Sequence, residues 1–358
     1  MIHTHAKAPG KLYIAGEYAV VDSGYPAVIV AVDRFITVSV SPSKGPAGTI
    51  TSPSLSDATL YWRRNDQRIL LEEPNEKADI LLRTMEVTER FLKEHNCALP
   101  YYDLVIDSTL DSSDGRKYGL GSSGAVTVAT VSALLESAGF EIEDAELFKL
   151  SAAIHVSLKS RGSLGDLAAA AFTGWIAYSS PDKSWVERQL NQVTLSALIK
   201  QSWPMLKIER LPAPSSLQLL VGWTGHPAST ETYVDSAQQA QVKIDHGTFL
   251  EESKTCVTNM ISGINEDAAD KIKENVRRYR ELLLKMSRTR DILIETPLLE
   301  NLNRLAEKHG AVAKTSGAGG GDCGIAFAET SSQKEHILRD WRAGNIEPLT
   351  LTVYDKYN

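Results

Sequence analysis

Gly119-Leu120-Gly121-Ser122-Ser123-Gly124-Ala125 sets three glycines and two serines directly before a run of helix formers. Glycine lets a backbone turn tightly and approach a ligand closely. A helix that opens there aims unpaired N–H groups and the positive end of its dipole into the loop. Phosphate is the ligand that such a loop takes. Ser122 and Ser123 could cap the helix, and either hydroxyl could instead ligate Mg²⁺ beside the phosphates. The stretch is neither a Walker A loop nor a Rossmann fingerprint, because no GK[ST] follows and the G-x-G-x-x-G spacing fails. Taken alone, it is also compatible with a simple helix cap.

Two other stretches carry chemistry. Ala8-Pro9-Gly10-Lys11-Leu12-Tyr13-Ile14-Ala15-Gly16-Glu17-Tyr18 stands near the start, and Lys314-Thr315-Ser316-Gly317-Ala318-Gly319-Gly320-Gly321-Asp322-Cys323-Gly324 near the end. The second is either a flexible loop or one that bends closely around a ligand. A lysine is most often a solvated surface charge. Lys11 differs because it sits in an apolar strand context.

The elements that must position these residues can be read from periodicity and turn chemistry. Short apolar runs at 12–16 and 27–32, separated by Gly24-Tyr25-Pro26, read as strands, and 35–40 alternates in strand fashion. Residues 41–60 read as loops and an edge hairpin. Lys77 to Glu94 has helical spacing, with Ile80, Leu81, Met85, Phe91 and Leu92 as core positions. A strand at 101–107 and a polar loop at 111–117 lead into the helix at 121–135. Helices at 145–159 and 165–172 and a strand at 174–178 follow. Past Pro212-Ala213-Pro214, the chain reads as a strand at 217–223, helices at 247–264, 267–288 and 297–309, a strand at 325–328, a helix at 333–343 and a strand at 349–353. Strands and helices mix without a regular βαβ repeat, which places the chain in the α+β class. The expected division is 1–205 and 206–358.

Composition bounds the function. A chain of 358 residues, 42% apolar and 23% charged, can build two hydrophobic cores. The net charge of −7 gives no basic face for nucleic acid or for an anionic membrane. Cys97, Cys256 and Cys323 are too few and too scattered for a disulfide framework or a zinc pattern. No apolar run reaches the roughly 20 residues of a membrane span. The expected compartment is the cytoplasm, and the chain is compatible with a monomer or a homodimer.

The three glycine-containing motifs, in this order, resemble the GHMP kinases, which include galactokinase, homoserine kinase, mevalonate kinase and phosphomevalonate kinase. Several details resemble the bacterial phosphomevalonate branch. Gly16-Glu17-Tyr18 stands where mevalonate kinases tend to carry Gly-Glu-His. Asp114-Gly115-Arg116-Lys117-Tyr118 gives the phosphate loop a basic approach. Gly162-Ser163-Leu164-Gly165-Asp166-Leu167-Ala168 resembles that branch's acidic motif, and Val221 to Thr230 its second-domain segment.

The resemblance implies a two-domain fold, ribosomal-S5-like followed by ferredoxin-like, that binds ATP and phosphomevalonate as small-molecule substrates, with Mg²⁺. It implies nucleotide phosphates on Gly119, Leu120, Gly121, Ser122, Ser123 and Gly124, with Lys117 beside them and Mg²⁺ on Ser123, or on Ser122. Joining two anionic phosphates needs cations. Lys11 is the first expectation for that role and Lys117 the second, with Lys7 and Arg34 weaker. Asp166 corresponds to the family's catalytic aspartate, although it could equally cap the Ala-rich helix. Glu17, Tyr18, Lys7, Ser163, Ser229, Thr230, Gly317, Ala318 and Gly319 are expected around the acceptor. The adenine is expected near residues around Trp62 to Leu82. One departure stands out: where relatives often place a second metal-binding glutamate, this chain has His155 or its neighbours and no carboxylate, and His155 is not taken as a ligand. Mevalonate kinase, another alcohol-accepting GHMP kinase, a decarboxylase and an inactive nucleotide sensor are the competing readings. The joint presence of Lys11, Ser123 and Asp166 speaks against the last.

Overall fold

The computed structural model describes residues 1–66, 68–112, 114–225 and 246–358. Its first sheet is organised by one long strand, β2 (Pro26–Pro42). Strand β1 (Thr4–Ala15) runs antiparallel along one edge of it. The other edge of β2 is shared, with its first half pairing β7 (Trp175–Ser179) and its second half β6 (Tyr102–Ser108). Strands β3 (Gly48–Thr51), β4 (Leu60–Asn65) and β5 (Arg68–Leu71) extend the sheet beyond β6, and β8 (Lys207–Leu211) extends it beyond β7. Strand β8 thus belongs to the first sheet although it lies past residue 205.

Helices α1 (Asp79–Glu94), α2 (Ser122–Ser137), α3 (Asp144–Ser157) and α4 (Gly165–Phe172) cover this sheet. Helix α2 buries residues on every side, from Ala125 and Val128 to Leu134 and Leu135. A helix apolar all round belongs in a core, and its small Ala, Thr and Val side chains let it lie close to β1 and β2. Two short helices, α5 (Lys183–Leu190) and α6 (Leu195–Lys200), were not legible in the sequence. Both are brief, and each is started by a side-chain cap, Asp182 and Thr194.

The second sheet comprises β9 (Gln218–Trp223), β10 (Val312–Thr315), β11 (Cys323–Ala328) and β12 (Glu347–Leu349), in the order β10-β11-β9-β12 and all antiparallel. Helices α7 (His246–Asn265), α8 (Ala269–Arg290) and α9 (Pro297–Lys308) fall between β9 and β10, and α10 (Ser331–Ala343) between β11 and β12. This chain order and sheet order make the split β-α-β of a ferredoxin-like domain. The expected strand at 349–353 differs. Strand β12 ends at Leu349, and Val353 bridges back to Val32 of the first sheet. No helix among the described residues is long and apolar enough to cross a membrane.

Buried charge concentrates behind α1. Glu89, 4% exposed, accepts from Arg64 Nε and Nη2 at 2.8 Å each and from the Tyr102 hydroxyl at 3.0 Å. Removing one partner of a buried pair leaves the other uncompensated. Glu89→Ala is therefore expected to lower stability by about 3 kcal/mol in urea denaturation.

Candidate active site

The phosphate loop is built by a contact between distant strands. The Lys11 N–H donates to the Leu120 carbonyl at 2.8 Å, which pins the loop to β1. Gly10 makes the approach possible, since a Cβ there would lie 2.7 Å from Leu110 and 3.0 Å from the Leu120 oxygen. Gly119 and Gly121 hold φ of +77° and +82°, a region that glycine adopts without strain. Gly121 is the N-cap of α2, and neither serine caps the helix. Ser122 and Ser123 are already helical, so their hydroxyls stand in the first turn and line the adjoining cavity. The capping expectation for them is corrected accordingly.

That cavity has a volume of about 380 Å³ and draws on all three glycine motifs. The first motif contributes Lys11, Tyr13, Glu17 and Tyr18, the loop contributes Lys117, Gly119, Gly121, Ser122 and Ser123, and the third contributes Gly317 and Ala318. Ser163 and Asp166 complete the wall at the start of α4. Lys11 Nζ donates to the Gly119 carbonyl at 3.2 Å. Its stem passes Gly121, where a Cβ would meet Lys11 Cε at 3.0 Å and Asp166 Cβ at 3.3 Å. The ammonium stem and the carboxylate therefore flank the same glycine. Asp166 does not cap α4. It is the second helical residue, its Oδ1 accepts from Leu167 N at 3.0 Å, and its carboxyl presses on Gly124.

Other expected residues fall elsewhere. Leu120 is core and contributes its carbonyl to β1. Gly124 backs onto Asp166, where a Cβ would lie 2.6 Å from the carboxyl carbon. Gly319 is buried against Ile294 and does not line the cavity. Lys7 is exposed, with its ammonium 4.4 Å from the Phe35 ring centroid and 5.1 Å from that of Tyr354. A strand rises about 3.3 Å per residue, so four residues carry Lys7 beyond reach of the site. Arg34 is likewise outside the cavity wall. Ser229 and Thr230 lie outside the described residues. Of the stretch 62–82 expected near the adenine, Trp62 is fully buried against Tyr101 and Tyr102, and none of its described residues lines this cavity.

Several lining residues were not singled out in the sequence. Tyr13 follows Lys11 by two on a strand, so period-two alternation would have found it. Its hydroxyl bonds to Ser163 Oγ at 2.7 Å, and burial pushes the phenol well above its ordinary pKa. Ser316 donates from Oγ to the Tyr13 carbonyl at 3.0 Å and accepts the Tyr13 N–H at 2.9 Å. The Asp322 carboxyl lies against Gly119. His155, which was singled out in the sequence, also lines the cavity and bonds to Thr127 Oγ1 at 3.0 Å.

A glycine cradle at a helix start, crossed by a lysine and an aspartate at the junction of an S5-like and a ferredoxin-like sheet, defines a small-molecule phosphotransferase. Two family models, the GHMP kinases N terminal domain over residues 80–174 and the GHMP kinases C terminal over 260–347, match the chain. The chain belongs to the GHMP kinase family. It is 39% identical to a phosphomevalonate kinase of Streptomyces sp. strain CL190, with 96% of each chain covered. It is 26% identical to a mevalonate kinase of Pyrococcus horikoshii over 96% of this chain and 94% of that one. Among solved structures, Streptococcus pneumoniae phosphomevalonate kinase in complex with phosphomevalonate and AMPPNP superposes with a TM-score of 0.86 at 30% identity, covering 99% of this chain and all of that one. A Listeria innocua protein superposes at 0.90 with 33% identity, covering 98% of both chains.

Proposed function

We propose that this chain is a phosphomevalonate kinase that transfers the γ-phosphate of ATP to (R)-5-phosphomevalonate, giving 5-diphosphomevalonate and ADP. The observation that carries the reading is Lys11, fixed by its own N–H and Nζ to the phosphate loop while its side chain lines the cavity. The full-length relative and the solved complex support the choice of acceptor.

The acceptor's phosphate is already ionised near neutral pH, so little proton transfer is required. The difficulty is bringing two anions together. Backbone amides at the start of α2 receive the nucleotide phosphates. Lys11 bridges donor and acceptor oxygens, and Lys117 adds charge at the mouth. Asp166 orients the Lys11 ammonium. Among the described residues there is no cluster of three or more His, Cys, Asp or Glu side chains to cage a metal. Mg²⁺ suits the site nonetheless, because it binds through few protein ligands plus phosphates and water, and Ser123, with Ser122 beside it, would hold it. When bound, the ion neutralises phosphate charge. The reaction is placed in the cytoplasm.

A coupled ADP-release assay with phosphomevalonate, mevalonate and homoserine tests the reading. Turnover is expected with phosphomevalonate, at a kcat of about 1–100 s⁻¹, and none above background with the other two. Turnover with mevalonate alone would transfer the assignment to a mevalonate kinase. Tight ATP binding with no acceptor used would favour the inactive sensor.

A further inference from the structure

Beneath the glycine loop of the third motif lies a charge pair that the transfer chemistry above does not use. Lys314, on β10, is fully buried and donates from Nζ to Glu17 Oε1 and to the Thr315 carbonyl. Its ammonium lies 5.7 Å from the ring centroid of Tyr279 on α8. The Tyr279 hydroxyl in turn donates to the Glu17 carbonyl at 2.8 Å and bonds to Ser253 Oγ at 3.0 Å. Burial, and then the charge of Glu17, push the Tyr279 phenol well above its ordinary pKa, so it stays a donor. Glu17 is thereby held at both backbone and side chain.

The two carboxylate oxygens of Glu17 are treated differently. Oε1 takes Lys314 and the Gly317 N–H, the latter at 3.4 Å. Oε2 is buried and has no hydrogen-bond partner among the described residues, on a side chain that lines the cavity. A buried acceptor without a donor is costly, and such exceptions call for an explanation. A ligand donor supplies one. The acceptor in the reading above is anionic at both ends, so the group it can donate to a carboxylate is the hydroxyl on its carbon chain. Without Lys314, the negative charge of Glu17 would also repel that acceptor.

We propose that Lys314 is a positioning residue for acceptor selection: it neutralises Glu17 and turns it so that Oε1 is tied under the Gly317–Ala318 backbone while Oε2 accepts a hydrogen bond from the acceptor's hydroxyl. The inference rests on the proposed reaction. An alcohol-reading site rejects the analogue that lacks the hydroxyl, because its own polar group is then left unpaired.

The test compares phosphomevalonate with its 3-deoxy analogue in the wild type, Glu17→Gln, Lys314→Met, Lys314→Arg and the charge-free double variant Glu17→Gln/Lys314→Met. The wild type is expected to prefer the hydroxylated acceptor by about a hundredfold or more in kcat/KM. In Glu17→Gln the amide oxygen faces Lys314 and the NH₂ faces the cavity, so the preference should fall below about tenfold. Lys314→Met should lose it as well, with the KM for ATP unchanged, and Lys314→Arg should recover part of it. Thermal melts identify variants that fail to fold, and the double variant, which buries no lone charge, then replaces them. Turnover of phosphomevalonate with no preference in the wild type, or with the full preference kept in the folded variants, overturns the role of Lys314. Absence of any turnover with phosphomevalonate overturns the reading of the reaction itself.

Discussion

Lys11→Met is expected to lower kcat/KM for phosphoryl transfer by about 10³, with a much smaller change in the KM for ATP. Methionine keeps an unbranched stem that can pass Gly121, and the backbone N–H to Leu120 is untouched. The change therefore removes charge while leaving the loop in place. The nucleotide retains the helix N-terminus and the glycine amides, which act in the ground state as well as the transition state. In the mechanism proposed above, what is lost is the cation that offsets repulsion as donor and acceptor oxygens converge. Such an interaction, realised mainly in the transition state, appears in kcat. Lys11→Arg should restore little, since a planar guanidinium needs width and Gly121 leaves only about the space of the existing stem. Steady-state kinetics with both substrates varied makes the measurement. Near-wild-type turnover in folded Lys11→Met would remove Lys11 from the mechanism.

Asp166→Asn should reduce kcat by about 10² and leave both KM values within a few-fold. The carboxylate is fixed by Leu167 N and by the flat face of Gly124, and its Cβ and the Lys11 stem flank the same glycine. In the mechanism proposed above it aims the ammonium, and an amide of the same shape holds position without the charge that would attract Lys11. Because the acceptor is a phosphate that is already ionised, no proton has to pass to Asp166. The acid limb of the kcat profile between about pH 5 and 7 should therefore survive in Asp166→Asn, set by the acceptor's own second ionisation. Disappearance of that limb in the variant would make the carboxylate a general base.

What could be read from sequence was what local chemistry controls. The loop at 119–124 announces itself because glycine takes those dihedrals beside a helix start without strain. The long helices of the second half were legible from periodicity alone. Three kinds of information were hidden. The first is pairing over long separations: Lys314 with Glu17, and Ser316 with Tyr13, join the two ends of the chain, and no spacing rule finds them. The second is irregularity in a strand. β1 changes register between Pro9 and Gly10 and runs unbroken for twelve residues, so Lys7 and Lys11, so alike in sequence, serve different surroundings. The third is the choice between surface and core for an aromatic. Trp62 follows strand alternation into the interior, where its ring packs on Tyr101 and Tyr102. The buried glutamates of α1, Glu86 and Glu89, were concealed for a similar reason, since Glu89 takes its arginine from β4 and Glu86 takes one from β5 besides its helical neighbour Arg83.

Ser316 binds Tyr13 through both its N–H and its carbonyl, imitating with one hydroxyl what a neighbouring strand would do with its backbone. This joint sits at the cavity itself, and the Lys314–Glu17 pair rivets the same seam. A jaw-like swing of one half of the molecule away from the other would have to tear both at every turnover. Entry of substrates and escape of ADP are therefore expected to leave this seam closed, with the larger displacements at the rim of the cavity.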